Sequence, residues 1–287
     1  MSCVRSHFHS SPLAVRPVEP VSSRIRVPFG CLASDCLIAR YILSSSHIQE
    51  ASRSLISHFH RTVFVHIPKC GGQSIEAVFL SDLGLTWELR APLLLRPNDD
   101  PRLGPPRLAH LLARDYARYH YLSDELFQSY YSFSVLRDPV ARVISLFNYM
   151  RIVDTQQQPL SFDVFLHKWL ARQLEFRSAD VVKQNDPSNS FYFVRPQVDF
   201  ITDVDGRTLV KDLFFLEEIA DSFAVIRERA NLRGELEHKN KSTAIFRRSD
   251  LTLEHEQAIQ HLYAPDIAFV AACRDAKRSG PVTTPVA

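Results

Sequence analysis

A lysine next to a pair of glycines is the first part of this sequence that could do chemistry. Residues 67–74 read IPKCGGQS, so Lys69 precedes Gly71 and Gly72, and Ser74 follows them. Glycines let a backbone approach an anion closely, a lysine adds a compact positive charge, and a helix N-terminus adds N–H donors. The segment predicts a site for a phosphate-like group. An ordinary strand-to-helix turn with a solvated lysine fits the same residues.

The order of residues in this segment differs from that of a Walker A nucleotide-binding loop. A Walker A loop has the pattern G-x-x-x-x-G-K-[ST], in which the lysine follows the last glycine and the hydroxyl binds Mg²⁺. Here Lys69 comes before both glycines, and no apolar strand ending in an Asp-rich segment is evident. The order therefore predicts a phosphate cradle that works without a magnesium ion.

An arginine and a serine form the second candidate pair. Arg137 ends an apolar segment, and Ser145 comes eight residues later. Eight residues are close to two turns of an α-helix, so an arginine at a strand end and a hydroxyl on the next helix can converge on one phosphate. An ion pair between Arg137 and Asp138, with Ser145 as a small packing residue, explains the same residues.

Alternating strands and helices are expected to position both motifs. The segments 62–67 and 131–137 are rich in β-branched and aromatic residues, which is typical of buried strands. Helices are predicted to follow at 73–83 and 139–150, where Pro139 suits a first helical turn. Two successive strand–turn–helix units predict a three-layer α/β fold with a mainly parallel sheet flanked by helices. The other predicted elements are a strand at 209–216, helices at 46–59, 108–119, 123–130, 161–175, 217–230 and 252–275, and loops at 98–106 and 183–190.

The composition is that of an ordinary globular protein and excludes several classes. The 287 residues carry a formal net charge of +2, so no global basic field favours a nucleic-acid polymer as partner. The five cysteines form no C-x-x-C pair, which favours a reducing compartment and predicts no metal site. The apolar run at 31–43 is far shorter than the roughly 20 residues that span a bilayer. We expect a cytoplasmic protein, free or peripheral to a membrane, without a signal peptide or transmembrane anchor.

Three regions are expected along the chain. Residues 1–60 lack sustained periodicity apart from the predicted helix at 46–59, and are expected to form a partly disordered tail or peripheral cap. One domain is predicted at 61–275, and a flexible tail at 276–287.

Taken together, the two motifs resemble those of the carbohydrate sulfotransferases, in particular the branch with the membrane-bound Golgi enzymes and their bacterial relatives. Residues 65–74 are similar to that family's 5′-phosphosulfate loop, and residues 133–147 to its 3′-phosphate motif. The resemblance extends over about residues 61–272 and implies a P-loop-like sulfotransferase fold. Weaker similarities occur at 195–201, 215–219, 238–242 and 263–269.

The resemblance implies transfer of a sulfuryl group from 3′-phosphoadenosine 5′-phosphosulfate (PAPS) to a hydroxyl of a carbohydrate or glycoconjugate, with 3′-phosphoadenosine 5′-phosphate (PAP) as product. It implies a catalytic role for Lys69 at the leaving group and for His110 as the base. His120 is the alternative base, and His66 is expected to be structural. The residues implied in donor binding are Pro68, Lys69, Cys70, Gly71, Gly72, Gln73, Ser74, Arg137 and Ser145.

Some positions depart from the family pattern, and two other functions stay open. Asp138 stands where many relatives have Asn, Gln73 replaces the commoner Thr, and the Cys70 side chain is expected to pack. A non-catalytic protein that binds a sulfated or phosphorylated ligand is one alternative. A nucleotide-dependent kinase on a P-loop-like fold is the other, and Mg²⁺ dependence would distinguish it. Loops at 96–106, 151–160 and 183–190 are expected to shape the acceptor site.

Overall fold

A mixed sheet lies at the centre of the computed structural model, which describes residues 55–98, 100–104, 108–153, 161–175, 191–236 and 245–278. Within these residues the sheet has four strands in spatial order β1 (Leu55–Ser57), β2 (Thr62–Val65), β3 (Tyr131–Leu136) and β4 (Asp212–Phe215). β1 is antiparallel to β2, whereas β2, β3 and β4 are parallel. The carboxyl ends of the parallel strands therefore lie at one end of the sheet, where the segments that follow β2 and β3 are neighbours.

The helices in the described part of the chain are numbered in order. They are α1 (Gly72–Asp82), α2 (Asp115–Arg118), α3 (Asp124–Ser129), α4 (Pro139–Val153), α5 (Ala171–Glu175), α6 (Phe191–Val194), α7 (Gln197–Ile201), α8 (Ile219–Arg229), α9 (Leu253–Leu262) and α10 (Ala264–Arg278). A π-helix at Val164–Leu170 precedes α5. 3-10 turns occur at Ala91–Leu93, Pro101–Leu103, Leu108–His110, Leu216–Glu218 and Arg248–Asp250.

Helices cover both faces of the sheet. Val63 and Val65 enter an apolar cluster with side chains of α2, α3, α7 and α10, whereas Phe64 enters a cluster with side chains of α1 and α8. Successive side chains of a strand point to opposite faces, so these clusters are the two sides of the sheet. The predicted three-layer α/β fold with a mainly parallel sheet is confirmed.

A further apolar cluster in the described chain lies among helices. Its buried side chains come mainly from α4 and the π-helix, with Ile259 from α9, and Phe147 and Tyr263 are almost completely buried in it. α4 therefore begins at the end of β3 and packs against this helical cluster, which fixes its direction relative to the sheet.

The first strand differs from the sequence prediction. The sequence predicts a helix at 46–59, but Leu55–Ser57 forms β1 and pairs with Thr62–Phe64 of β2. All three β1 residues are buried, so pairing with a central strand overrides the helical pattern. The sheet thus begins before residue 61, the predicted start of the domain. Residues 1–54 lie outside the described residues.

The prediction of one helix at 108–119 is also wrong. The segment forms a 3-10 turn and α2, with an irregular stretch between them. In that stretch the N–H of Ala113 donates to the carbonyl of Phe200 (2.7 Å), and the N–H of Leu112 donates to the Asp115 carboxylate (3.2 Å). Because these N–H groups bind tertiary and side-chain acceptors, they do not continue a helical ladder.

The predicted helix at 252–275 is divided into α9 and α10 at Tyr263. Pro265, the second residue of α10, has no N–H with which to extend the ladder of α9. The break puts Asp266 into the first turn of α10. Elsewhere β2, β3, β4, α1, α3, α4 and α8 lie within a few residues of their predicted positions, and 161–175 is helical as a π-helix followed by α5. The predicted loop at 183–190, and most of that at 151–160, lie outside the described residues.

No helix in the described part of the chain is long and apolar enough to cross a membrane.

Truncation of Phe133 should destabilise the protein strongly, because this side chain links β3 to β2. Its ring is fully buried and stacks on Phe64 with centroids 4.9 Å apart. We expect Phe133→Ala to lower the free energy of unfolding by about 3–5 kcal/mol in urea titrations. Phe59→Ala removes the same ring from a position that is 69% exposed and should change it by less than about 0.5 kcal/mol. Similar losses in both variants would contradict this packing.

Candidate active site

The glycine loop, residues 67–74, connects β2 to α1 along an unusual backbone path. Lys69 and Gly71 have positive φ angles of 67° and 77°. Gly71 is the N-cap of α1, and a Cβ atom at this position would lie 2.4 Å from Cδ1 of Leu216. The first turn of α1 contains no acidic residue. The loop therefore presents a helix N-terminus whose cap has no side-chain oxygen, an arrangement that favours an anion.

Gly72 is required for close packing of the loop against His66. A Cβ atom on Gly72 would lie 2.2 Å from Nε2 of His66. Nδ1 of His66 lies 2.7 Å from Oε1 of Glu76 on α1, and the ring stacks on Phe64. Both His66 and Glu76 are buried. The His66 imidazole is thus held in place by Glu76 and packs against the first turn of α1. This agrees with the structural role expected for His66.

Arg137 brings the second motif into direct contact with the first. It follows β3, and its Nη1 donates to the carbonyl oxygen of Lys69 (3.0 Å). Burial lowers the pKa of the Arg137 guanidinium below its ordinary value, with partial compensation from the carboxylates of Glu217 and Asp138. A desolvated cation gains more from a bound anion than a solvated one does. The structure therefore brings the two motifs into one site.

Arg142 is a site residue that the sequence analysis did not identify. It lies on α4 and is 3% exposed. Its Nε donates to the carbonyl of Pro68 (3.0 Å), and its Nη2 donates to the carbonyls of Phe193 (3.2 Å) and Arg195 (2.9 Å). Its Nη1 lies 3.9 Å from Oδ2 of the buried Asp266. One guanidinium thus links the glycine loop to α6, to the segment between α6 and α7, and to α10.

The Lys69 side chain lies against an aromatic residue of α4. Its Nζ is 3.9 Å from the ring centroid of Tyr149, within the range of a cation–π interaction. Tyr149 stacks on Phe193 of α6 with centroids 6.0 Å apart. Ser145 is partly exposed on α4, one helical turn before Tyr149 and therefore on the same face. This face of α4 is the one that meets the glycine loop.

His110 ends the 3-10 turn at Leu108–His110 and lies beside the His66 ring. Its Nδ1 is 3.2 Å from the carbonyl oxygen of His66, and its ring packs edge-on against the rings of His66 and Phe193. A carbonyl oxygen can only accept, so Nδ1 carries the proton and a neutral ring has its lone pair on Nε2. This is the tautomer that a base acting through Nε2 requires. His120, the alternative, is exposed and has a φ of 60°.

Two other positions in the motifs have structural contacts. Burial raises the pKa of the Cys70 thiol to about 12, so it stays protonated and packs as expected. Oδ1 of Asp138 accepts from the N–H of Ala141 in the first turn of α4 (2.8 Å) and from Nη1 of Arg248 (3.1 Å). Asp at this position therefore serves as a helix cap, which Asn can also provide.

Asp163, His167 and His255 form a group, within the described chain, whose possible ligand atoms all lie within 4.8 Å of one another. The N–H of Thr252 donates to Nδ1 of His255 (3.2 Å), so the proton of the neutral ring is on Nε2, which lies 3.0 Å from Asp163. The structure thus uses Nε2 as a donor to a carboxylate, and a metal ion would have to replace that proton. The sequence gives no sign of this group, because Asp163 and His255 are 92 residues apart.

Residues 52–194 match a family model described as "Sulfotransferase family". No curated protein and no solved structure matches the chain significantly. The matched segment contains the glycine loop, His110, Arg137 and Ser145. The buried residues Gln197 and Asp266, which contact the site from α7 and α10, lie beyond it.

Gly72→Ala should destabilise the protein through a clash with His66. The added Cβ would overlap a ring that Glu76 holds in place, and overpacking of this kind costs about 1–3 kcal/mol. We expect that loss in the free energy of unfolding from urea titrations. In a His66→Ala background the ring is gone, so Gly72→Ala should cost less than about 0.5 kcal/mol. An equal cost in both backgrounds would mean that the clash is not the cause.

Proposed function

Residues 52–194 belong to the sulfotransferase family, and from this premise we propose that the protein transfers a sulfuryl group from PAPS to a hydroxyl of a carbohydrate or glycoconjugate. The observation that carries the choice of donor is the hydrogen bond from Nη1 of Arg137 to the carbonyl of Lys69 (3.0 Å). It joins the loop expected at the 5′-phosphosulfate to the residue expected at the 3′-phosphate. One nucleotide with negative charge at both ends can therefore engage both motifs.

The proposed donor fits the shape and charge of the residues present. Pro68 to Ser74 would surround the 5′-phosphosulfate, because glycine at 71 permits the left-handed backbone of the loop and the uncapped N-terminus of α1 favours an anion. Arg137 and Ser145 would hold the 3′-phosphate, which would compensate the partly buried guanidinium of Arg137. When bound, PAPS supplies the sulfuryl group together with a stable leaving group, PAP.

Lys69 is the proposed electrostatic catalyst. Sulfuryl transfer passes through a loose transition state in which negative charge grows on the bridging oxygen of the leaving phosphate, so a positioned cation lowers the barrier. The Tyr149 ring restricts the Lys69 ammonium to the region of the loop. Such preorganisation reduces the entropy lost when the transition state forms. This chemistry requires no metal ion, and we propose a metal-independent reaction.

His110 is the proposed base for the acceptor hydroxyl. Its protonated Nδ1 is anchored on the His66 carbonyl, which orients the ring and leaves the lone pair on Nε2. Phe193 packs against the His110 ring on one side and against Tyr149 on the other. Both aromatic rings are half-buried, so they offer the apolar face of a sugar ring a surface between His110 and Lys69. This surface supports a carbohydrate acceptor, and the cysteine pattern supports a cytoplasmic location.

The test of the proposed function is a transfer assay with labelled PAPS and a panel of glycan acceptors in the presence of EDTA. We expect PAP release that depends on the acceptor and is unaffected by the chelator. Phosphate transfer from ATP that requires Mg²⁺ would instead establish the kinase alternative. Binding of PAP without any turnover across the panel would favour a non-catalytic binding protein.

Nucleotide binding should depend on the 3′-phosphate. A ligand that binds only the folded state stabilises it by about 2.7 kcal/mol at 100 times its Kd, so PAP should raise the melting temperature. Adenosine 5′-phosphate, which lacks the 3′ group, should raise it much less at the same concentration. Arg137→Met should remove this difference, whereas Arg102→Met, at a side chain that is 87% exposed, should preserve it. Equal shifts from both nucleotides in the wild type would contradict the assigned 3′-phosphate site.

Substitution of His110 should separate chemistry from donor binding. We expect His110→Ala to lower kcat by about 10²–10⁴, the usual contribution of a general base, with PAP affinity near that of the wild type. Lys69→Ala should weaken PAP binding as well as turnover, because its charge contacts both ground state and transition state. His120→Asn is the matched control, since Asn tolerates the positive φ at this position. If the control loses activity and His110→Ala retains it, His120 is the base.

A further inference from the structure

We propose that Gln197 is a positioning residue that locks the main chain of Arg137 against the glycine loop and thereby sets the spacing of the two phosphate sites. The inference rests on the proposed function, since it concerns the same donor. Gln197 lies in the segment 195–201, which resembles the family weakly and to which the sequence assigns no role. It is the first residue of α7 and is 1% exposed.

The Gln197 amide makes three contacts that together bridge the two motifs. Its Oε1 accepts from the N–H of Arg137 (2.9 Å), and its Nε2 donates to the carbonyl of the same residue (2.9 Å). Oε1 also accepts from the Cys70 thiol in the glycine loop (3.3 Å). One side chain therefore satisfies both backbone groups of Arg137 as a neighbouring strand would, and joins them to the loop.

The glutamine amide provides an acceptor and a donor at this reach at any pH. A glutamate carboxylate can accept from the Arg137 N–H but cannot donate to its carbonyl when ionised. A methionine has nearly the same length and volume without either group. The set of contacts therefore distinguishes the hydrogen-bonding function of the side chain from its packing.

Gln197 is itself held by a buried carboxylate of α10. Its own N–H donates to Oδ2 of Asp266 (2.8 Å), and the N–H of Val198 donates to Oδ1 (3.0 Å). Asp266 is 1% exposed, and Nη1 of Arg142 lies 3.9 Å from its Oδ2. Arg142 also binds the carbonyls of Pro68 and Arg195. The segment that presents Gln197 is thus fixed by the same guanidinium that fixes the glycine loop.

The effect on binding should be selective for the 3′-phosphate. The Arg137 guanidinium can meet that phosphate only where its main chain places it, and in the free protein it already binds the Lys69 carbonyl. If the main chain loses two hydrogen bonds, the guanidinium is less well positioned. The Gly71 and Gly72 end of the site contacts the Gln197 side chain only through the long thiol contact of Cys70 (3.3 Å), so it should depend on this side chain much less.

The experiment measures the Kd values of PAP and of adenosine 5′-phosphate by calorimetry for the wild type, Gln197→Met and Gln260→Leu. Gln260 lies on α9 and is exposed, so its substitution controls for the loss of an amide. Two lost hydrogen bonds predict that the preference of Gln197→Met for PAP falls by about tenfold or more. Its affinity for adenosine 5′-phosphate should change by less than about threefold, and the control should match the wild type.

Gln197→Glu provides a second readout that a purely structural role would not give. A buried carboxyl has a raised pKa, and in its protonated form it can donate to the Arg137 carbonyl again. Relative to the wild type at each pH, the PAP preference of this variant should therefore recover as the pH falls from 8 to 5.5. A PAP preference of Gln197→Glu that falls further below the wild-type value as the pH decreases would overturn the proposal, also where Gln197→Met does not fold.

The outcomes separate this inference from the proposed function. A wild type that prefers PAP, together with a Gln197→Met protein that keeps the full preference, overturns the inference alone. Equal losses of affinity for both nucleotides overturn it as well, because they indicate a general structural defect. A wild type that binds the two nucleotides equally overturns the proposed function and the inference with it.

Discussion

The candidate site depends on two arginines, Arg142 buried and Arg137 partly buried, that hold the carbonyl groups of the glycine loop. Arg142 binds the carbonyl of Pro68, and Arg137 binds that of Lys69. Carbonyl oxygens carry partial negative charge and would repel an anion, so turning them toward guanidinium groups makes the loop suitable for a phosphate or sulfate. The same bonds stabilise the positive φ of Lys69, which a lysine alone adopts only at a cost. The two arginines therefore determine the charge of the loop, its backbone shape and the direction of the Lys69 side chain.

The chain outside the family match completes this arrangement. Residues 52–194 contain the loop and both arginines. The residues that bind these arginines, Gln197 of α7 and Asp266 of α10, lie beyond that match. Asp266 reaches the N–H groups of Gln197 and Val198 because Pro265 ends the preceding helix and lets a new one begin. Pro265, which interrupts a long helical pattern, thus places Asp266 where it can bind the main chain of α7. Hydrogen bonds and an ion pair thus connect the matched segment with the chain that follows it.

The sequence predicted the parts of the fold and of the site that depend on neighbours in the chain. β2, α1, β3 and α4 follow from local apolar patterns and from Pro68 and Pro139, and these elements bring Lys69 and Arg137 together. The sequence could not predict contacts between distant segments. The Gln197 amide bonds to Arg137, 60 residues away, and α2 is short because Ala113 donates to the carbonyl of Phe200. The only sequence signals of these contacts were the weak family similarities at 195–201 and 263–269.

The buried thiol of Cys70 has a consequence for how the protein responds to oxidants and electrophiles. Burial raises the pKa of this thiol to about 12, so the thiolate, which is the reactive form, is a very minor species at pH 7. Its proton is directed at the Gln197 amide oxygen, in a position with 1% exposure. A cysteine is thereby placed in the loop proposed to bind the donor without making that loop sensitive to redox conditions. Peroxide or alkylating agents at moderate concentrations would modify Cys273, which is partly exposed, before they reached Cys70.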